Sequence, residues 1–74
     1  MSKNRVWNGV ANVAGKKRKI KIVERKTYDK TVYSVHVQVN FIWHKIEDNL
    51  SAEIVKEKYN LDVLASKSGV IKND

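Results

Sequence analysis

The sequence contains no cysteine, no proline and only three glycines among its 74 residues. Without cysteine the chain can form neither a disulfide nor a thiolate site, and a reducing compartment is compatible with that composition. The scarcity of proline and glycine, together with 42% hydrophobic residues, argues against a disordered tail. We therefore predict a single small domain over residues 1–74, with a thin margin of stability because so short a chain buries a modest core.

Long apolar runs are also missing. No stretch approaches the roughly 20 apolar residues that a membrane-spanning helix needs. The first residues, Met1–Arg5, lead into no apolar segment of the kind that a secretory signal contains. We expect a soluble, intracellular protein of the cytoplasm that does not act at a membrane.

Acidic residues are scarce in the first part of the chain, so the formal net charge of +7 is unevenly distributed. Residues 1–45 hold eleven Lys or Arg and two acids, whereas residues 46–74 hold four Lys and six acids. A uniformly charged, solubilising surface would not divide in this way. The asymmetry predicts a basic face that meets a polyanion, and a basic excess that only aids solubility is the simpler alternative.

Strand patterns occupy the first 43 residues. Arg5–Val13 predicts a strand with mixed alternation, Ala14–Lys17 predicts a turn, and Arg18–Lys26 predicts a strand with Ile20 and Ile22 on one face. The following segment, residues 31–43, has the clearest alternation of the chain. We predict that it forms one long strand whose apolar parity fills the core together with Trp7, the members of that parity being Tyr33, Val35, Val37, Val39, Phe41 and Trp43.

The loop Thr27–Lys30 fixes a register between the second and third strand patterns, because an even-length loop preserves the parity of both strands. Four opposed pairs follow, the first two facing inward and the last two outward: Ile22 with Val35, Ile20 with Val37, Lys21 with His36, and Lys19 with Gln38.

The last third of the chain predicts one short helix. Glu47–Leu50 is a polar break, after which Ser51 can N-cap a helix over Ala52–Tyr59, and Asn60 can end it in the left-handed conformation. Beyond the helix we predict a strand at Leu61–Ala65, a turn at Ser66–Gly69 and an edge strand at Val70–Ile71.

The predicted fold is therefore α+β, a small curved antiparallel sheet of three to five strands with one short α-helix. A small barrel of the SH3 or OB kind is the neighbouring possibility.

The sharpest local feature is the basic run from Gly15 to Lys21, because long cations on a projecting hairpin can neutralise several phosphates at once. One alternative is an edge strand that lysines protect against aggregation. A nuclear-localisation signal ranks third, because the basic residues are interleaved with a strand pattern.

Tyr28, at the tip of its loop, is the best candidate for a residue that stacks on bases. The predicted nucleic-acid or polyanion-binding residues are Lys16, Lys17, Arg18, Lys19, Lys21, Arg25, Lys26, Tyr28, Lys30, His36 and Gln38.

Catalytic signals are weak. No HExxH, Walker or GxGxxG pattern occurs. His36 and His44 would lie about 26 Å apart on a straight strand, at ~3.3 Å per residue, too far to share one metal ion. Ser51–Val70 superficially resembles a helix-turn-helix, but its second half is a poor helix former and carries little positive charge. We predict no enzyme activity, no metal and no cofactor.

The function predicted from these patterns is a non-catalytic nucleic-acid-binding module with little sequence specificity, for DNA or RNA. The alternative is a small protein-interaction module or inhibitor whose basic face binds an acidic surface of a larger enzyme, such as a surface that normally holds nucleic acid. An apolar patch outside the core would favour the alternative, and Val6, Val10 and Val23 are its candidates. The oligomeric state is open.

Overall fold

The computed structural model describes residues 4–67 and 69–70, and these form one sheet with one helix. The strands are β1 (Val6–Val13), β2 (Lys16–Lys26), β3 (Thr31–Val39), β4 (Ile42–Leu50) and β5 (Gly69–Val70), and the helix α1 is Ala52–Tyr59. The strand order is β4-β3-β2-β1-β5. The first four strands are antiparallel to their neighbours, and the two residues of β5 pair in parallel with β1.

This arrangement confirms the predicted α+β class of a small antiparallel sheet with one short helix. The sheet is open rather than a closed barrel, since its order runs from β4 at one edge to β5 at the other. The predicted register is confirmed for Ile22 with Val35, Ile20 with Val37, and Lys21 with His36. The loop between β2 and β3 has the expected four residues, and the Thr27 amide donates to the Lys30 carbonyl across it.

The prediction of one long strand from residue 31 to residue 43 is wrong. A two-residue turn at Asn40 and Phe41 ends β3 and starts β4, and both residues have positive φ, 52° and 67°. Two positive φ values in succession are what a type I′ hairpin requires. The turn inverts the parity that was read from the sequence, so Phe41 is 93% exposed at the tip and Trp43 lies outside the core. The expectation that these two aromatics fill the core is therefore wrong.

The predicted polar break at Glu47–Leu50 is also wrong, because these residues complete β4. The ladder between β3 and β4 shifts register between Tyr33 and His36, which inserts a bulge in this part of the strand. Asn49, with a φ of 55°, is the residue of positive φ within it. A bulge lets polar and apolar residues depart from strict alternation, which removes the sequence signal of a strand.

The core lies on one side of the sheet, between the inner face of β1–β3 and α1. Its buried side chains come from the parity that includes Trp7, Ile22 and Val35, and the helix contributes Val55. The complete set of the buried cluster is Trp7, Ile20, Ile22, Tyr33, Val35, Val37, Val55, Leu61 and Val63. Trp7 and Tyr33 pack as a tilted aromatic pair with ring centroids 6.2 Å apart, a favourable geometry for their quadrupoles.

The helix has the predicted ends. Ser51 is the N-cap and its hydroxyl accepts a hydrogen bond from the Ile54 amide at 3.3 Å, while Asn60 closes the helix with a φ of 54°. Eight residues are too few for an isolated helix, so the burial of Val55 against the sheet holds it in place. In the described part of the chain, no helix is long and apolar enough to cross a membrane.

The segment after the helix differs from prediction. Leu61–Ala65 forms a turn rather than a strand, yet Leu61 and Val63 are buried, so its apolar residues extend the core without pairing. The Asp62 carboxylate accepts hydrogen bonds from the Leu64 and Ala65 amides, which stabilises the turn. Of the predicted turn at Ser66–Gly69, Gly69 belongs to β5 and Ser68 lies outside the described residues. The predicted edge strand includes Val70, and Ile71 lies outside the described residues.

An ion pair with a buried carboxylate, between Arg5 and Glu24, ties the first and last parts of the described chain to the sheet. The Glu24 side chain is on the core side of β2, and its carboxylate accepts a 2.6 Å bond from Arg5 Nη2 and a 3.2 Å bond from the Tyr33 hydroxyl. The same guanidinium donates to the Ser66 carbonyl at 3.0 Å and lies 4.9 Å from the Trp7 ring centroid. Removing one partner of such a network leaves an uncompensated charge, which is strongly destabilising.

We expect Val37→Ala to lower the free energy of unfolding by about 1–3 kcal/mol, because Val37 is buried opposite Ile20 and its truncation leaves a cavity. Leu64→Ala removes more carbon from a side chain that is 77% exposed, so it serves as the control and should change stability little. Urea unfolding measures both. Equal midpoints for Val37→Ala and wild type would show that the inner parity is assigned wrongly.

The Glu24 carboxyl should make stability depend on pH. Its hydrogen bonds from Arg5 hold its pKa below the ordinary glutamate range, so folding favours the ionised form. The stabilisation is complete above the unfolded-state pKa and is lost as pH falls through the folded-state pKa. We expect the urea midpoint of wild type to fall more between pH 7 and pH 3 than that of Glu24→Gln. Glu57→Gln changes an exposed carboxyl and should keep the wild-type pH dependence. If the urea midpoint of Glu24→Gln fell as much as that of wild type between pH 7 and pH 3, the Glu24 carboxyl would not be the source of the pH dependence.

Candidate functional site

No described helix or strand packs on the side of the sheet opposite α1, although Val32 and Ser34 on that side are buried. We call this side the outer face and define it by the strand residues whose side chains point away from the core. On β1 and β2 they are Val6, Asn8, Val10, Asn12, Lys17, Lys19, Lys21, Val23 and Arg25. On β3 and β4 they are Val32, Ser34, His36, Gln38, Trp43, Lys45 and Asp48. A sheet with one packed and one open face has this inward and outward alternation.

The pairing of the strands arranges these side chains in rows across the sheet. Trp43 opposes Gln38 at one end of the β3–β4 ladder, and Lys45 opposes His36 next to it. On the other side of β3, His36 opposes Lys21, which in turn opposes Asn8 of β1. One row therefore reads Lys45, His36, Lys21 and Asn8, and directly opposed side chains are close enough to act on one ligand.

The charge of the outer face is almost entirely positive. Among the described residues it holds one carboxylate, Asp48, and five cations, namely Lys17, Lys19, Lys21, Arg25 and Lys45. Asp48 lies at one corner, where its carboxylate accepts bonds from Arg25 Nη2 at 3.3 Å and from Lys45 Nζ at 3.4 Å. The three lysines that β2 places on this face, Lys17, Lys19 and Lys21, form no ion pair within the described part of the chain, so their field extends into solvent.

Trp43 is the large aromatic side chain of this face. It is 37% exposed, and the Lys21 ammonium lies 4.7 Å from its ring centroid, within cation–π range. The ring borders a shallow, open groove that crosses all four long strands. Residues that line the groove are Asn8, Gly9, Val10, Lys19, Ile20, Gln38 and Trp43.

His36 lies in the middle of the outer face. Partial burial lowers its pKa below the ordinary histidine value, and the nearby charges of Lys21 and Lys45 lower it further. Its Nε2 is 3.0 Å from the Ser34 hydroxyl. A lowered pKa favours the neutral imidazole, which has one donor and one acceptor nitrogen, so His36 adds polar recognition to the face rather than charge.

The residues predicted from sequence divide between two regions. Lys17, Lys19, Lys21, Arg25, His36 and Gln38 are on the outer face, as the alternation predicted. The remaining five are not. Lys16 is exposed at the start of β2, and Arg18 is half-buried on the parity of Ile20. Lys26 ends β2, about 30 Å from Lys17 at ~3.3 Å per residue, and Tyr28 and Lys30 lie in the loop that follows.

That separation decides which of the predicted cations can act together. Lys26 and Lys30 follow Lys17 and Lys19 along one hairpin, but the length of β2 keeps the two groups apart. The screening length at physiological salt is roughly 8 Å, so the two ends of β2 act independently. Tyr28 is fully exposed in its loop but stands apart from the lysines of the outer face.

The sequence reasoning missed Trp43, Lys45 and Asn8 as members of the site. Trp43 was assigned to the core because its parity matched the valines of β3, and the turn at Asn40 and Phe41 inverts that parity. Asn40 was the available signal, since Asn is a preferred residue at positive φ. Phe41 obscured it, because a bulky residue at positive φ is rare.

The helix side of the molecule has a different electrostatic character. Lys58 Nζ is bonded to Glu47 at 2.5 Å, and Lys56 Nζ lies 3.7 Å from the Asp62 carboxylate. Glu47 also accepts a 2.6 Å bond from the Tyr59 hydroxyl, and bonds from Lys58 and Tyr59 lower the pKa of its carboxyl. The cations on this side are thus neutralised locally, as the sequence distribution of acids implied.

The two histidines are on opposite faces of the sheet. His44 opposes Val37 of the inner parity, whereas His36 is on the outer face. The sequence placed both on one strand at the same parity, which the turn between β3 and β4 corrects. Within residues 4–67 and 69–70, no three His, Asp or Glu side chains group as metal ligands.

Comparison with known proteins adds no homologue. No protein-family model matches the chain, and neither a curated protein nor a solved structure matches it. The function has therefore to be inferred from the residues of the outer face.

Proposed function

We propose that this protein is a non-catalytic nucleic-acid-binding module with little sequence specificity, and that it binds through the outer face of its sheet. The observation that carries the proposal is the uncovered face with five cations and a single carboxylate at its corner. A phosphate backbone is the partner that such a surface complements, because each neutralised phosphate releases counterions.

The position of β2 in the sheet indicates that its lysines bind a ligand rather than protect an edge. Lysines on an edge strand can prevent strand-to-strand aggregation. However, β2 lies in the interior of the sheet, hydrogen-bonded to β1 on one side and to β3 on the other. Its lysines protect no edge, and edge protection therefore does not account for Lys17, Lys19 and Lys21.

Little sequence specificity follows from the kind of side chain. Lysine ammoniums are point charges on flexible stems, which bind phosphates without fixing an orientation. Neutral polar side chains of the outer face, among them Asn8, His36 and Gln38, can bond with base edges or sugars. Such groups on an open surface can favour certain bases, but phosphate contacts should dominate the affinity.

A protein-interaction module or inhibitor is the second candidate, and one observation favours it. The predicted apolar candidates Val6, Val10 and Val23 are all on the outer face, and Val10 is 43% exposed. An acidic protein surface could contact these valines together with the lysines. Val6 and Val23 oppose each other across β1 and β2, but the row of Asn8 and Lys21 separates them from Val10. The face is therefore better suited to a flexible polyanion than to an extended apolar interface.

We expect the triple variant Lys17→Gln, Lys19→Gln, Lys21→Gln to bind a generic oligonucleotide at least tenfold more weakly than wild type, about 1.4 kcal/mol. Its affinity should also fall less steeply with salt, because fewer counterions are released. Fluorescence anisotropy of a labelled oligonucleotide at several salt concentrations measures both quantities.

The matched control is Lys56→Gln, Lys58→Gln, Lys67→Gln, which removes the same net charge from exposed positions outside the outer face. Circular dichroism checks that both variants fold. If both triple variants lose affinity equally, net charge alone drives binding and the outer face is not the site. If wild type binds no oligonucleotide even at low salt, the proposed function fails and an acidic protein partner becomes the working hypothesis.

A further inference from the structure

We propose that the outer face takes a single-stranded polynucleotide in preference to a duplex, and that Trp43 is the platform on which one unpaired base stacks. This inference rests on the proposed function and names its substrate class. It is carried by the geometry of Trp43, the groove beside it and the lysines around it.

The exposure of Trp43 is the first observation. The other tryptophan, Trp7, is 1% exposed in the core, whereas Trp43 is 37% exposed on the face with the positive charge. Leaving part of a large aromatic ring in water forgoes the free energy that its burial would contribute. A ring that is exposed on an uncovered face is available to a ligand with a flat apolar surface, and a nucleobase has one.

The second observation is the arrangement of charge about that ring. The Lys21 ammonium lies over the ring, 4.7 Å from its centroid, and Lys19 shares the groove with Trp43. A base that stacks on this ring face replaces the ammonium there, and the flexible lysine can then bind the phosphate of the same nucleotide. One nucleotide can therefore reach both a ring for its base and a cation for its phosphate. Single-strand binders that tolerate many sequences use this combination.

The groove supplies the third observation. It runs from Trp43 on β4 past Gln38 on β3 and Lys19 on β2 to Asn8 and Val10 on β1. The path crosses the strands and is open to solvent along its length. A flexible strand can lie across such a surface with one base on Trp43 and its neighbours near the Gln38 and Asn8 amides, which can bond with base edges.

A duplex cannot use Trp43 in this way. The faces of its bases are covered by their neighbours in the stack, so a ring on a shallow sheet surface reaches only sugar and phosphate. A duplex can still contact the lysines through its phosphates. The preference for a single strand should therefore come from Trp43, and the general affinity for polyanions from the lysines.

The test uses the full chain with labelled oligo-dT, oligo-rU and a duplex of the same length. Tryptophan emission is read alongside anisotropy, because a stacked base quenches the ring beneath it and Trp7 is shielded in the core. We expect both single strands to bind more tightly than the duplex and to quench the emission. Trp43→Leu should bind the single strands at least fivefold more weakly, at the lower end of what one stacked base contributes, and should bind the duplex unchanged.

Two further variants separate stacking from loss of fold. Trp43→Phe keeps an aromatic ring, so it should retain most of the single-strand affinity while the quenching disappears, since Trp7 is then the remaining fluorophore. Phe41→Leu removes a 93% exposed ring at the tip of the β3–β4 turn and should bind like wild type.

The outcomes distinguish the two proposals. If the duplex binds as tightly as the single strands and Trp43→Leu changes neither, the stacking inference is overturned while the proposed function stands. If Trp43→Phe binds as weakly as Trp43→Leu, an aromatic platform is also excluded. If none of the three oligonucleotides binds wild type at low salt, both proposals fail together.

Discussion

Because successive side chains of a strand point to opposite faces of the sheet, the interior strand β2 serves two purposes with one segment. Ile20 and Ile22 fill the core on one side, while Lys17, Lys19 and Lys21 collect on the other. A shift of one residue would bury the lysines and expose the isoleucines, so register and charge distribution are a single property. The core therefore fixes the backbone positions from which the cations of β2 project.

The inner face is closed by α1 and by the buried Leu61 and Val63, and the Arg5–Glu24 ion pair anchors that layer. Arg5 bonds the Glu24 carboxylate of β2 and the Ser66 carbonyl beyond the helix, so one guanidinium joins the start of the described chain to its last part. The helix and the irregular segment after it both lie on the inner side of the sheet, so neither packs on the outer face. The acids of the helix side meanwhile neutralise its own lysines, which keeps the positive field on the opposite surface.

The sequence predicted the features that local rules control. The β2–β3 register followed from alternation and an even loop, and the ends of α1 followed from Ser51 and Asn60. The β3–β4 turn could not be read, because Asn40 and Phe41 lack the glycine that marks type I′ turns. Apolar residues continue at every second position through that turn, so the pattern fits one long strand as well as a hairpin, and only the hairpin exposes Trp43. The strand predicted at Leu61–Ala65 is wrong because a short apolar segment has no periodicity to distinguish a strand from a packed turn.

Amide chemical-shift mapping tests most directly whether the outer face is the binding surface. Isotope-labelled protein is titrated with short oligo-dT at low salt, and the shift of each amide and of the Trp43 indole N–H is followed. We expect the largest changes at Lys19, Lys21, Gln38 and Trp43, with α1 unchanged. Changes confined to α1, or to the loop around Tyr28, would contradict it.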